Sequence, residues 1–155
     1  MRSVEIINEL GNRPYPYTAW TGPTGESFIA KSPDLKLQLS ITIDKFSRAE
    51  ISFEVNERYQ ITPSDKPYAI LATVKDILSK ELPTLINKYT ELNNKKITTV
   101  EFEADIYEES RVKLYDRIVP VITKILGGWP VETRNSIRGV KIYTWKNPAW
   151  FGTST

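Results

Sequence analysis

Apolar and polar residues alternate most clearly between Leu35 and Asp44. Leu35, Leu37, Leu39, Ile41 and Ile43 take one side, while Lys36, Gln38, Ser40, Thr42 and Asp44 take the other. A period of two marks a strand with one buried face. The pattern repeats with Ala49, Ile51, Phe53 and Val55 against Glu50, Ser52, Glu54 and Asn56. A shorter run from Glu26 to Lys31, ended by Ser32-Pro33-Asp34, precedes both. Three antiparallel strands are predicted, with one sheet face buried and the other wet or lightly covered.

The period then lengthens. Ile70, Val74, Ile77, Leu78, Leu82, Leu85, Ile86 and Tyr89 recur at helical spacing. Ser64 or Asp65 can cap this helix, Pro67 suits its first turn, and Asn93-Asn94 closes it. Pro83 lacks an N–H and crowds the preceding turn, so it should kink or divide the helix. Val100, Phe102 and Ala104 mark another strand, with Glu101 and Glu103 facing away. Asp105 and Glu108 are spaced as a capping box before a second helix. Its apolar stripe is Val112, Tyr115, Ile118, Val119, Ile122, Ile125 and Leu126; Pro120 should bend it and Gly127-Gly128 end it. Two last strands are predicted near Val131–Ser136 and Val140–Trp145.

The ends are less regular. Val4 to Leu10 reads as a short strand or a helical turn. Residues 11–25 hold three glycines and three prolines and read as a loop with extended pieces. The predicted fold is α+β: a mixed, mostly antiparallel sheet with two main helices in the order β-β-β-α-β-α-β-β. The 155 residues form one domain, 1–155, with an aromatic, proline-rich segment at 1–25 and a tail at 147–155.

Composition narrows the chemistry. The chain has no histidine and no cysteine. That removes disulfides, thiolate nucleophiles and an imidazole base. Any catalysis would rest on Asp, Glu, Lys, Tyr, Ser or Thr. A metal could use oxygen ligands only, no EF-hand spacing is present, and neither a metal nor a cofactor is expected. The net charge is +2, from 21 basic and 19 acidic side chains. This gives no strong nucleic-acid signal, and Lys95-Lys96 reads as a solvated turn. No apolar run approaches the ~20 residues of a membrane span. The first residues turn polar again at Asn8, too soon for a signal peptide, so an intracellular location is expected.

Three groups of candidates stand out. Ser110 and Arg111 open the second helix and could hold an anion, or serve only as a cap and an ion-pair partner of Glu108 or Asp105. Glu101, Glu103, Asp105, Glu108 and Glu109 could hold a cation or a basic partner, or simply face solvent. Tyr15, Tyr17 and Trp20 near the start, with Trp145, Trp150 and Phe151 near the end, could anchor a protein partner or fold back over the sheet.

The element order resembles the core of the GNAT N-acetyltransferase fold, without its first helices, over roughly residues 35–146. In that family a Gly-rich turn of the form Gln/Arg-x-x-Gly-x-Gly/Ala opens the first of these helices and holds coenzyme A pyrophosphate. The matching stretch, Gln60-Ile61-Thr62-Pro63-Ser64-Asp65-Lys66-Pro67, has no glycine, two prolines and a carboxylate. The family also carries a Leu-Tyr pair on its second helix, matched by Leu114-Tyr115, whose Tyr often acts as general acid. The resemblance thus implies an acyl-CoA-dependent N-acyltransferase with Tyr115 as acid and Glu101 or Glu103 as base.

A second resemblance is to a group of uncharacterised bacteriophage proteins. It rests on Arg13-Pro14-Tyr15-Pro16-Tyr17, Ala72-Thr73-Val74-Lys75-Asp76-Ile77, and Phe102-Glu103-Ala104 followed by Ser110 to Arg117. It implies a viral protein found in the virion or the host cytoplasm. Taken with the missing residue types and the aromatic ends, the expected function is a non-enzymatic phage-type protein. It would act by protein binding, as a virion component or a host-directed factor. The N-acyltransferase is the alternative.

Overall fold

A computed structural model describes residues 13–55, 67–105, 109–135 and 140–151; for 67, 104–105, 109–114, 140 and 151 only the backbone is described. The predicted helix or strand at Val4–Leu10 and the capping box at Asp105–Glu108 lie outside the described residues or side chains.

The alternating stretches form the centre of a seven-stranded sheet. Strands β1 (Thr18–Thr21), β2 (Ser27–Ser32), β3 (Leu37–Ile43) and β4 (Arg48–Val55) run as an antiparallel meander. Helix α1 (Pro67–Asn93) then leads to β5 (Thr99–Asp105), and α2 (Glu109–Ile125) leads to β6 (Val131–Asn135) and β7 (Val140–Lys146). A short α3 (Pro148–Phe151) follows. The spatial order is β1-β2-β3-β4-β5-β7-β6, and among the described residues β4–β5 is the single parallel pair. The fold class is the predicted mixed, mostly antiparallel α+β arrangement.

One face carries the core. Leu37, Leu39, Ile41 and Ile43 of β3 and Ala49, Ile51 and Val55 of β4 are buried beneath the stripe of α1, from Ile70 to Tyr89. Tyr115, Ile118 and Ile122 of α2 extend that layer over Val100, Phe102, Tyr143 and Trp145. The other face keeps the polar partners of the alternation, such as Thr42, Glu50, Ser52 and Glu103, exposed.

Three details depart from the sequence reading. Leu35 is not in the strand: Pro33–Leu35 forms a single 3-10 turn, and Lys36 takes a left-handed φ of 50° before β3 begins. Pro83 does not divide α1, because buried residues on both sides of it, Ile77 and Leu78 before and Leu85 and Tyr89 after, hold both halves to the same sheet. Thr18–Thr21 is a full edge strand, within the stretch read as a loop.

Two glycine sites fix the connections. Gly25 has φ 73°, and a Cβ there would lie 3.2 Å from the backbone of Tyr89, so only glycine lets the β1–β2 turn lie against α1. Gly127 and Gly128, at φ 74° and 87°, end α2 as predicted; the Gly128 N–H donates to the Thr123 carbonyl at 2.9 Å.

Candidate functional site

The site follows from the parallel pair. Its ladder has four rungs: Arg48–Thr99, Ala49–Val100, Glu50–Glu101 and Ile51–Phe102. Both strands continue past it. β4 stays bonded to β3 as far as Val55, and β5 stays bonded to β7 as far as Asp105. Among the described residues, the two strands from Ser52 and Glu103 onward are paired only on their outer sides, which leaves a cleft between them. Backbone polar groups facing such an opening need partners from outside the sheet. The carboxyl ends of neighbouring parallel strands are where open α/β sheets receive ligands.

Aromatic rings floor the cleft on the helix side. Phe53 and Phe102 stack with centroids 6.0 Å apart. Tyr115 meets both edge-on, at 5.2 and 5.4 Å, and Tyr143 stacks on Phe102 at 6.1 Å. Such geometry holds rings rigidly. The helical stripe of α2 brings Tyr115 down onto β5, and the Tyr143 hydroxyl donates to Asp116 on the next position of the same helix. Lys141 reaches the same Asp116 oxygen at 3.3 Å. Burial, then the bond to Asp116, pushes the Tyr143 hydroxyl pKa upward. Bonds to Tyr143 and Asp116 hold the Lys141 ammonium charged, with burial working the other way.

Carboxylates line the opposite lip. The register sets Glu50 beside Glu101, and Glu103 follows on the same face. Burial raises the Glu50 pKa, and repulsion from Glu101, Glu103 and Asp44 raises it further. A carboxylate with raised pKa is a better proton acceptor than an ordinary one. The cleft thus has a base-bearing lip and a phenol-bearing floor, which suits transfer of a group between a nucleophile that loses a proton and a leaving group that gains one. Among the described residues no cluster could hold a metal ion.

The sequence candidates divide by place. Tyr115 is 4% exposed on the helix face against Phe53 and Phe102, Glu103 lies just past the last rung, and Glu101 sits one rung inside the ladder on the other face. Ser110 and Arg111 lie in the first turn of α2, and their side chains are outside the described ones. The six aromatics do not form one surface. Trp145 is wholly buried, and its indole N–H donates to Thr123 Oγ1 at 2.8 Å. Tyr15 and Tyr17 are half-buried against the core. The Tyr15 amide donates to Thr73 Oγ1 and the Tyr17 hydroxyl to Glu81. Burial and that carboxylate push the Tyr17 pKa up to about 12. Trp20 and Trp150 are exposed in different elements, and the Phe151 side chain is outside the described ones. Sequence reasoning missed Glu50, Asp116 and Tyr143. The alternation put Glu50 on the right face, but nothing local named its neighbour.

No protein-family model matches the chain, and no curated protein matches it. Among solved structures it is similar to the ribosomal-protein-S5-alanine acetyltransferase of Vibrio fischeri, with TM-score 0.37 and 12% identity over 80% of this chain and 62% of that one. It is also similar to a Sphaerobacter thermophilus protein assigned as an acetyltransferase, with TM-score 0.36 and 11% identity over 78% and 68% of the two chains. The chain thus spans less than two thirds of the first of these proteins. These findings correct the expected function. A non-enzymatic binding protein is not what the chain is similar to, and Trp145, one of its supposed anchors, is sealed in the core. The fold is a mixed, mostly antiparallel α+β arrangement whose parallel ladder ends between β4 and β5.

Proposed function

We propose that the protein is an acyl-CoA-dependent N-acyltransferase working in the β4–β5 cleft. The observation that carries this reading is the end of the parallel ladder at Ile51–Phe102, while both strands run on. An acyl thioester laid in that opening would meet the free backbone edges of both strands. An acceptor amine entering over the lip attacks the thioester carbonyl and passes its proton to Glu103 or its neighbours Glu101 and Glu50. The C–S bond then breaks, and the thiolate takes a proton from Tyr115, leaving amide and thiol. Positioning supplies much of the rate in such a scheme.

Pro67 starts α1 without an N–H to donate, so phosphate binding there is one donor short. The reading therefore places donor recognition mainly on the cleft. The acceptor we propose is an amine on a protein partner, and we propose a viral origin and action in the host cytoplasm on the resemblance of three stretches to bacteriophage proteins. Among the described residues no helix is long and apolar enough to cross a membrane.

Calorimetric titration with acetyl-CoA tests the proposal. Saturable binding, lost when Phe53 is replaced by a bulkier Trp, is the expected result. No heat of binding at millimolar acetyl-CoA ends it.

A further inference from the structure

A cavity lies at the other end of the same strand pair. It holds about 860 Å³ and is lined by Lys45, Phe46, Arg48, Lys95, Lys96 and Trp150, among others. It sits where the parallel ladder starts, at Arg48–Thr99, whereas the cleft opens beyond Ile51. At about 3.3 Å per strand residue, Arg48 and Phe53 are about 17 Å apart. The two sites are separate.

Two features set this cavity apart. It carries large aromatics that the fold leaves uncovered: Phe46 is 60% and Trp150 63% exposed. Both are nevertheless held in place. The Phe46 amide donates to Asp44 Oδ1 at 2.8 Å, and the Thr98 hydroxyl donates to the Phe46 carbonyl at 3.1 Å. The Trp150 amide donates to the Asn147 carbonyl, and the Asn147 side chain donates to the Ile97 carbonyl. Both turns are thus stitched to the same segment, Ile97-Thr98. The second feature is charge. Arg48 is engaged by Asp44 at 2.9 Å, and its guanidinium and the Lys45 ammonium each lie 5.2 Å from the Phe46 centroid. Among the described residues no carboxylate lies within ion-pair distance of Lys45, Lys95 or Lys96. Three like charges gathered around two exposed rings repel one another and leave the cavity positive.

We propose that this cavity binds a phosphorylated nucleobase, either a free nucleotide or one unit of a single strand. The base stacks on Phe46 or Trp150, and the phosphate is taken by Lys45, Lys95 and Lys96. Every base has a π face, so stacking is tolerant of sequence, and lysines serve as point charges for phosphate. The volume falls within the range of small-molecule sites. The overall charge of +2 hides this local arrangement, because the lysines come from two turns about 50 residues apart in the chain, a separation that strand pairing closes.

The test is fluorescence anisotropy with a labelled oligothymidylate about eight nucleotides long, competed with adenosine 5′-monophosphate and with inorganic phosphate. Binding should weaken about 5- to 150-fold in Trp150→Ala and in Phe46→Ala, the range for losing one stacked base. Both residues are more than half exposed, so circular dichroism should show both variants folded. Log affinity should fall against log salt with a slope of about −2 for three lysines on a single strand, and Lys95→Glu with Lys96→Glu should flatten it. Competition by the mononucleotide identifies the free-nucleotide source; binding of the strand alone identifies the polymer. The proposal is overturned by no binding at millimolar protein, by competition from inorganic phosphate equal to the nucleotide's, or by aromatic variants that bind like wild type.

Discussion

Tyr115 does two jobs that substitution separates. Its ring completes the floor with Phe53 and Phe102, and its hydroxyl is the proton donor of the proposed reaction. Tyr115→Phe keeps the ring contacts. We expect its unfolding midpoint in urea to stay close to wild type while turnover falls about 10²- to 10⁴-fold, the usual share of a general acid. Equal turnover would remove Tyr115 from the chemistry. Glu50 offers a sign test. Its folded pKa is raised, so the native state holds a proton that the unfolded chain has already released between the two pKa values. Stability attributable to Glu50 therefore falls as pH rises through that window, and above it the charged carboxylate costs stability. Glu50→Gln should be more stable than wild type at pH 7 and equal to it near pH 3, read by thermal unfolding. If the lip shares the catalytic proton, the same variant should also lower activity. At Trp145 the expectation is purely structural: Trp145→Ala should lose about 3–5 kcal/mol, seen by denaturant unfolding.

At the scale of elements, α1 tolerates Pro83 because its stripe is buried on both sides of the missing bond. Pro83, half-buried, still leaves the Ser79 carbonyl without its helical donor. Pro83→Ala should raise the melting temperature, by about 1–3 kcal/mol of stability. No change would mean that the buried stripe already absorbs the defect. The elements were largely legible from periodicity. The alternation at Leu37–Ile43 and Arg48–Val55, the stripes of both helices and the Gly127-Gly128 stop all follow from local rules. β1 was not legible, because a four-residue edge strand with Trp20 outside and prolines before it carries no core pattern. The site was half legible. Tyr115, Glu101 and Glu103 could be named from a resemblance. Glu50 beside Glu101, and Asp116 beside Tyr143, arise from register between segments far apart in the chain, and periodicity reports which face a residue takes but not which neighbour it meets.

At the scale of the whole molecule, two sites occupy opposite ends of one parallel pair. The cleft lies beyond Ile51–Phe102 and the cationic, aromatic cavity lies before Arg48–Thr99. They should act independently to a first approximation, since no shared side chain lines both. Titration with S-acetylpantetheine, a thioester that carries no nucleotide, should give the same affinity with and without saturating nucleotide; a shift of tenfold or more would reveal coupling through the four rungs between them.

Those four rungs have a kinetic meaning. The meander from β1 to β4 closes through short turns, whereas the seam from Ile51 to Phe102 joins residues 51 positions apart across a whole helix. Chain-closure entropy makes such a contact late to form. The chain should therefore assemble as two lobes, β1–β4 and β5–β7, that weld along a narrow line. Because the weld is short, its amides should exchange with deuterium sooner than those of the β3–β4 ladder. The aromatic contacts of Phe53 with Phe102 and Tyr115 then close the last gap across the seam, so the cleft takes its final width only when both lobes have docked.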